Sequence, residues 1–220
     1  MKLIDTLKSK KIDVLNTFPY RRYFNRCECV FVHIPKSAGT SILKGLSNGD
    51  QIYRDHCNWF DFYRANKVKF SNYFKFTVVR DPFDRIVSTY EYLKKGGNQA
   101  EDLFFMDLFA LNNLTFEEFV LEYLDEVKIH EHVLFKPQYL FIFDYKYDLK
   151  VDFIAKFENI DADYALICNK LGIKKSTLVK ENSSPRQLDV NCYKRKNVAN
   201  RVASLYRKDY ELLDYDKSWK

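Results

Sequence analysis

Between Cys29 and Ile34 the chain reads Cys-Val-Phe-Val-His-Ile; Pro35 then stops the run and Lys36-Ser37-Ala38-Gly39-Thr40-Ser41 follows. A continuous apolar, β-branched stretch of this length is the pattern of a strand buried on both faces, as in parallel sheets. After the small-residue turn, Ile42, Leu43 and Leu46 carry a short helix that stops near Gly49. Strand, loop and helix in this order bring backbone amides and the positive end of a helix dipole to one point, which is where a phosphate binds. Lys36 adds a full charge there, the hydroxyls of Ser37, Thr40 and Ser41 add donors, and Gly39 lets the backbone approach closely. The plain alternative is that the loop is only a polar connection. It is not a Walker A loop, because Lys36 precedes Gly39 where that motif has its Lys after the second Gly.

The same grammar returns at Phe74 to Val79, Phe-Lys-Phe-Thr-Val-Val, a second strand running straight into Arg80-Asp81-Pro82. Asp81 can accept from the exposed amides of a first helical turn, and Pro82 at the first helical position loses no needed donor. Asp84 adds negative charge where the dipole favours it, and Ile86, Val87, Tyr90 and Leu93 carry the helix to Gly96-Gly97. Further helices are expected over Leu114 to Val127, Tyr164 to Leu171 and Val198 to Leu213, and short strands over Tyr139 to Phe143 and Val151 to Phe157. Strands alternating with helices predict a three-layer α/β fold with a central parallel sheet flanked by helices.

Composition narrows the classes. A chain of 220 residues with 46% hydrophobic content can bury an ordinary core, so a single domain over residues 27–220 is the default, preceded by a basic, helix-patterned segment over 1–26. In that segment Leu3, Ile4, Leu7, Ile12, Val14 and Leu15 fall among Lys8, Lys10, Lys11, Arg21 and Arg22. A solvated helix packing one stripe on the domain accounts for this, with peripheral membrane contact as the alternative. A net charge of +6 favours an anionic ligand but is modest for a dedicated nucleic-acid binder, so no nucleic-acid partner is expected. No apolar run approaches the roughly 20 residues of a membrane span, and a secretory leader is not evident, so a soluble, cytoplasmic protein is expected. The 5 Cys show no metal-ligand spacing and read as reduced structural thiols, with a Cys168 to Cys192 disulfide left open.

Pro35 to Ser41 after a hydrophobic strand, together with Val79-Arg80-Asp81-Pro82-Phe83-Asp84-Arg85 and Ser88, resembles the paired signature of carbohydrate sulfotransferases, including the heparan sulfate 2-O- and 6-O-sulfotransferases. The resemblance implies a P-loop-NTPase-like fold and 3′-phosphoadenosine 5′-phosphosulfate (PAPS) as sulfate donor. It assigns Lys36, Ser37, Ala38, Gly39, Thr40 and Ser41 to the 5′-phosphosulfate end, and Arg80 and Ser88 to the 3′-phosphate. Glu181-Asn182-Ser183-Ser184-Pro185-Arg186 is similar to the family's stretch that closes over the nucleotide, giving Ser184 and Arg186 as further ligands, although Pro185 is an insertion before Arg186. Phe153 to Glu158 and Tyr206 to Tyr215 are similar to the family's late strand and terminal helix.

Sulfuryl transfer needs an acceptor oxygen in line with the departing one, a base for its proton, and positive charge on the leaving phosphate. Lys36 suits the last role. The sulfuryl group carries less negative charge than a phosphoryl group, so no metal is expected. Of the 4 His, His56 in Asp55-His56-Cys57-Asn58-Trp59 resembles the family's His-x-x-Trp base, and its type titrates near neutrality. His132, before Phe135-Lys136-Pro137-Gln138, is the second candidate and Glu91 the third; Lys136, Arg54, Arg64 and Lys94 are candidate acceptor contacts. The implied acceptor is a hydroxyl of a glycan or glycoconjugate, with an anionic acceptor left open. Two other classes stay open: a nucleotide kinase or related phosphotransferase, against which the Lys36 order counts, and a non-catalytic basic module, which explains the charge but not two ordered loops.

Overall fold

The computed structural model describes residues 18–97, 102, 107, 113–174, 178 and 193–216. In chain order the elements are α1 (Arg22–Cys27), β1 (Cys29–Val32), α2 (Gly39–Ser47), α3 (Trp59–Ala65), α4 (Lys67–Asn72), β2 (Phe74–Val79) and α5 (Pro82–Lys94). They continue with α6 (Phe116–Glu118), which passes into a π turn (Phe119–Tyr123), then α7 (Lys128–Glu131), α8 (Tyr139–Ile142), β3 (Phe153–Lys156), α9 (Ile160–Leu171), α10 (Lys196–Leu205) and α11 (Arg207–Leu212). The chain forms two compact units: Met1–Val79 with Leu140–Glu181, and Arg80–Tyr139 with Asn182–Lys220.

The first unit is built on a parallel sheet of order β1-β2-β3, with Cys29 opposite Phe74 and Phe76 opposite Phe153. All four residues of β1 are buried, as its uninterrupted apolar sequence requires, and helices α1 and α9 pack on β1 and β3. The α/β class and the parallel sheet flanked by helices are therefore those expected. Phe31 stacks on Phe76 across the two strands at 5.1 Å between centroids. The Thr77 hydroxyl, buried on β2, donates to the Val32 carbonyl at 2.8 Å and closes the end of the ladder next to the first loop.

The second unit gathers around α5. Phe83, Ile86, Val87, Tyr90 and Leu93 on its inner face meet Phe116, Phe119, Val120, Phe135, Val198, Val202 and Tyr206 in one core. Asp81 accepts from the Asp84 amide at 3.0 Å and Pro82 occupies the first turn, so this helix starts where the sequence placed it.

Three expected elements differ. The helix over 114–127 is shorter: the Thr115–Glu118 capping box starts it at Phe116, and Leu124 is already extended. Asp125 accepts from the amides of Val127 and Lys128 and opens a separate turn. The strand expected over 139–143 is a helical turn, α8, because the Tyr139 amide is captured by Asp209 at 2.8 Å; only Phe143 makes an isolated bridge, to Leu149. The helix over 198–213 breaks at Tyr206, whose hydroxyl is held by the Phe135 carbonyl at 2.7 Å.

Candidate functional site

The first loop turns sharply between β1 and α2. Lys36 and Ala38 both take the left-handed conformation, with φ of 65° and 60°, which few non-glycine residues adopt and which costs backbone strain. The Ala38 carbonyl accepts from Ser41 and Ile42 and starts α2; Gly39 and Thr40 open the helix, where first-turn amides fall outside the intrahelical ladder. Ser37 is fully buried and its Oγ has no hydrogen-bond partner. A buried hydroxyl left unsatisfied costs about 1–3 kcal/mol, so an oxygen-rich ligand at this turn would recover what the loop forgoes. Lys36, Ala38 and Thr40 are half-buried and Ser41 is buried.

Gly39 is required by a neighbour rather than by its own backbone. A Cβ built there would lie 1.8 Å from His33 Nε2. His33, just past the end of β1, is 5% exposed, and stacks on Phe31 at 5.6 Å and against His56 at 4.4 Å between centroids. Burial, then the nearby His56 and Arg54, hold its pKa well below the usual imidazole value, so it is neutral at physiological pH.

His56 reaches the same place from the extended segment before α3, where Asn58 caps the helix by accepting from Phe60 and Asp61. Its Nδ1 lies 3.1 Å from the His33 carbonyl. A carbonyl only accepts, so Nδ1 carries the hydrogen of the neutral ring and Nε2 is the basic nitrogen. The first unit thus brings together Lys36 to Ser41, His33 and His56. Trp59, in the same stretch, is oriented by donating from Nε1 to the Phe143 carbonyl at 3.0 Å.

In the second unit Arg80 follows directly on β2. Its N–H donates to Gln138 Oε1 at 2.9 Å and its carbonyl accepts from Gln138 Nε2 at 2.8 Å. Asp209 accepts from the amides of Gln138 and Tyr139 at 2.9 and 2.8 Å. Arg85 donates to the carbonyls of Leu134 and Lys136 at 3.1 and 2.8 Å, and its guanidinium lies over the Tyr206 ring. Burial raises the pKa of Asp209, opposed by the Arg85 charge and the two backbone donors. Ser88 is half-buried on α5.

His132 is 7% exposed, packs edge-on to Phe135, and its carbonyl accepts from Phe135 and Lys136. The two His candidates thus belong to separate units, and only His56 shares one with the first loop. Glu91 is engaged structurally: the Tyr193 hydroxyl donates to it at 2.6 Å and Lys95 lies 3.8 Å away. Among the candidate acceptor contacts, Arg54 and Arg64 are exposed, Lys136 is half-buried, and Lys94 lies over the Tyr90 ring at 5.5 Å. Ser184, Arg186, Cys192 and residues 1–17 lie outside the described residues. Cys168 is buried.

Sequence reasoning missed the buried roles of Arg85, Gln138 and Asp209. The Phe135-Lys136-Pro137-Gln138 stretch was visible, but a glutamine's partners become apparent only when the chain is folded.

Among the described residues no helix is long and apolar enough to cross a membrane. An uncharacterised protein of Archaeoglobus fulgidus is 31% identical over 126 residues, covering 57% of this chain and 90% of that protein. No solved structure matches the chain. The model of the sulfotransferase family matches residues 22–216, a span that takes in β1 and its loop, β2 with the Arg80 turn, and both terminal helices. The chain belongs to the sulfotransferase family.

Proposed function

We propose that this sulfotransferase takes PAPS as its donor substrate and places the sulfuryl group on a hydroxyl of a carbohydrate or glycoconjugate. The observation that carries the donor assignment is the buried, unpartnered Ser37 Oγ in a loop with two left-handed residues at the N-terminus of α2. Such a turn presents amides, a hydroxyl and the Lys36 ammonium to an anion. Lys36 to Ser41 are assigned the 5′-phosphosulfate end, and Arg80 and Ser88 the 3′-phosphate. The acceptor assignment rests on the resemblance of the paired motifs to carbohydrate sulfotransferases.

In this reading the acceptor oxygen attacks sulfur as the bond from sulfur to the bridging phosphate oxygen breaks. The acceptor proton passes to His56 Nε2, which the Nδ1 contact with the His33 carbonyl keeps basic. The leaving phosphate takes the bond's electrons, and Lys36 with the opening amides of α2 offsets its charge. Neutral His33 beside His56 avoids a second positive ring, which would lower the basicity of the first.

Immobilised 3′,5′-bisphosphoadenosine should retain the protein without magnesium, and ATP with magnesium should not displace it. Magnesium-dependent ATP binding would overturn the donor assignment in favour of a phosphotransferase. Incubation with labelled PAPS and a glycan panel tests the acceptor class, and label on protein or small phenols alone would reject it. His56→Ala should leave the bisphosphate Kd within about threefold while kcat falls by about 100- to 10,000-fold, the usual worth of a general base. Near-normal turnover would remove His56 from the mechanism.

A further inference from the structure

Arg80 enters the second unit with both of its backbone groups bound to one side chain. The Gln138 carboxamide accepts from the Arg80 N–H at 2.9 Å and donates to the Arg80 carbonyl at 2.8 Å. This pair of opposed bonds is the arrangement that two strands make at a hydrogen-bonded pair, and it fixes both the separation and the rotation of the Arg80 backbone. Gln138 itself is fully buried. Its own N–H and that of Tyr139 are taken by the two oxygens of Asp209, which is also fully buried. One turn earlier in the same segment, Arg85 holds the carbonyls of Leu134 and Lys136. The stretch from 134 to 139 is thus tied at both ends by buried charged groups on α5 and α11, and its product is the placement of one backbone residue.

Only a side chain with a donor and an acceptor at this reach can serve. Glutamate lacks the donor, and methionine lacks both. A charged side chain meets an anion most strongly when it starts from a fixed backbone, because less ordering is needed on binding and the distance is already set.

We propose that Gln138 is a positioning residue that sets how strongly the protein prefers nucleotides carrying a 3′-phosphate over those lacking one, by fixing the backbone from which Arg80 projects. The inference rests on the reading that Arg80 meets the 3′-phosphate. Titration calorimetry with 3′,5′-bisphosphoadenosine and with adenosine 5′-monophosphate measures the preference as a ratio of Kd values. In Gln138→Met that ratio should fall by about 10- to 100-fold, the span of one charge-assisted hydrogen bond. The monophosphate Kd should stay within about threefold. Gln138→Asn, which keeps both groups one methylene short, should lie between the two. An unchanged ratio, or equal weakening of both ligands as general loosening would produce, overturns the proposal. A wild-type protein that shows no preference, or an Arg80→Ala variant that keeps it, instead sinks the underlying reading. If the variants do not fold, the wild type still decides. The Arg80 amide, already held by Gln138, should exchange slowly without any ligand, and an Arg80 amide that exchanges freely until the bisphosphate binds refutes the role.

Discussion

Replacing Gly39 by alanine tests the packing of the first loop, because the collision is specified to one partner. The added Cβ would stand 1.8 Å from Nε2, 2.0 Å from Cδ2 and 2.8 Å from Cε1 of His33. Carbon and nitrogen atoms settle near about 3.5 Å, so the ring would have to retreat by about 1.7 Å, the difference between 3.5 and 1.8 Å. It has little room to do so, with Phe31 stacked at 5.6 Å on one contact and His56 at 4.4 Å on another. Overpacking of this kind costs about 1–3 kcal/mol, and because Gly39 is the first residue of α2, alanine's better propensity for helix interiors returns little of it. At about 2–4 °C per kcal/mol for a chain of this size, about 1–3 kcal/mol lowers Tm by roughly 2–12 °C. The bisphosphate Kd should rise as well, since the displaced ring adjoins the turn. The discriminating measurement is a double-mutant cycle by urea unfolding with Gly39→Ala, His33→Ala and both. Removing the imidazole alone leaves a cavity, whereas in the double variant the methyl group added at position 39 partly fills it, so that variant should be less destabilised than the sum of the singles by about 1–3 kcal/mol. Additivity within about 0.5 kcal/mol, or a Gly39→Ala protein as stable as the wild type, would refute the argument.

Two further outcomes follow from titrating groups. Folded His33 binds its proton well below the ordinary value of 6.5 while the unfolded imidazole binds it near there, so within that window the unfolded chain carries more protons and stability falls as pH falls. The slope is at most about 1.4 kcal/mol per pH unit, is about half that near pH 6.5 and fades over the next unit above it. Asp209 acts with the opposite sign at lower pH, since its raised value lets the folded carboxyl keep a proton that the unfolded one has lost. His33→Asn should therefore flatten the fall of Tm between pH 7.5 and 5.5, and an undiminished slope would place the effect elsewhere. Among Cys27, Cys29, Cys57 and Cys168, iodoacetamide at pH 7.5 should label Cys27 first. Its thiol is lowered to about 7 chiefly by a hydrogen bond with the Cys29 thiol and is half-buried, whereas burial pushes Cys57 up to about 12 and raises Cys168, and Cys29 is raised by its hydrogen bond with Cys27 together with burial. Peptide mapping that finds Cys57 or Cys29 labelled as fast would contradict this.

Local chemistry wrote the parts of this protein that sequence rules describe well. An unbroken apolar run before Pro35 can only be satisfied by burial, so β1 and the turn after it were legible, as was the start of α5 at Asp81-Pro82. The paired motifs that carry the family resemblance lie on these two strand ends, which is why the family could be read before the fold. Tertiary structure decided what depends on partners distant in sequence. The segment after Pro137 has the side chains of a strand, yet it turns into α8 because Asp209, 70 residues later, captures the Tyr139 amide. The terminal helix breaks at Tyr206, whose hydroxyl has a carbonyl to meet 71 residues back. Gly39 looked free to admit a ligand, and the folded chain shows that its missing Cβ is space occupied by His33. Periodicity and capping act over a few residues and can be read from the sequence. A buried hydrogen-bond partner or a steric neighbour is defined only by the packed chain.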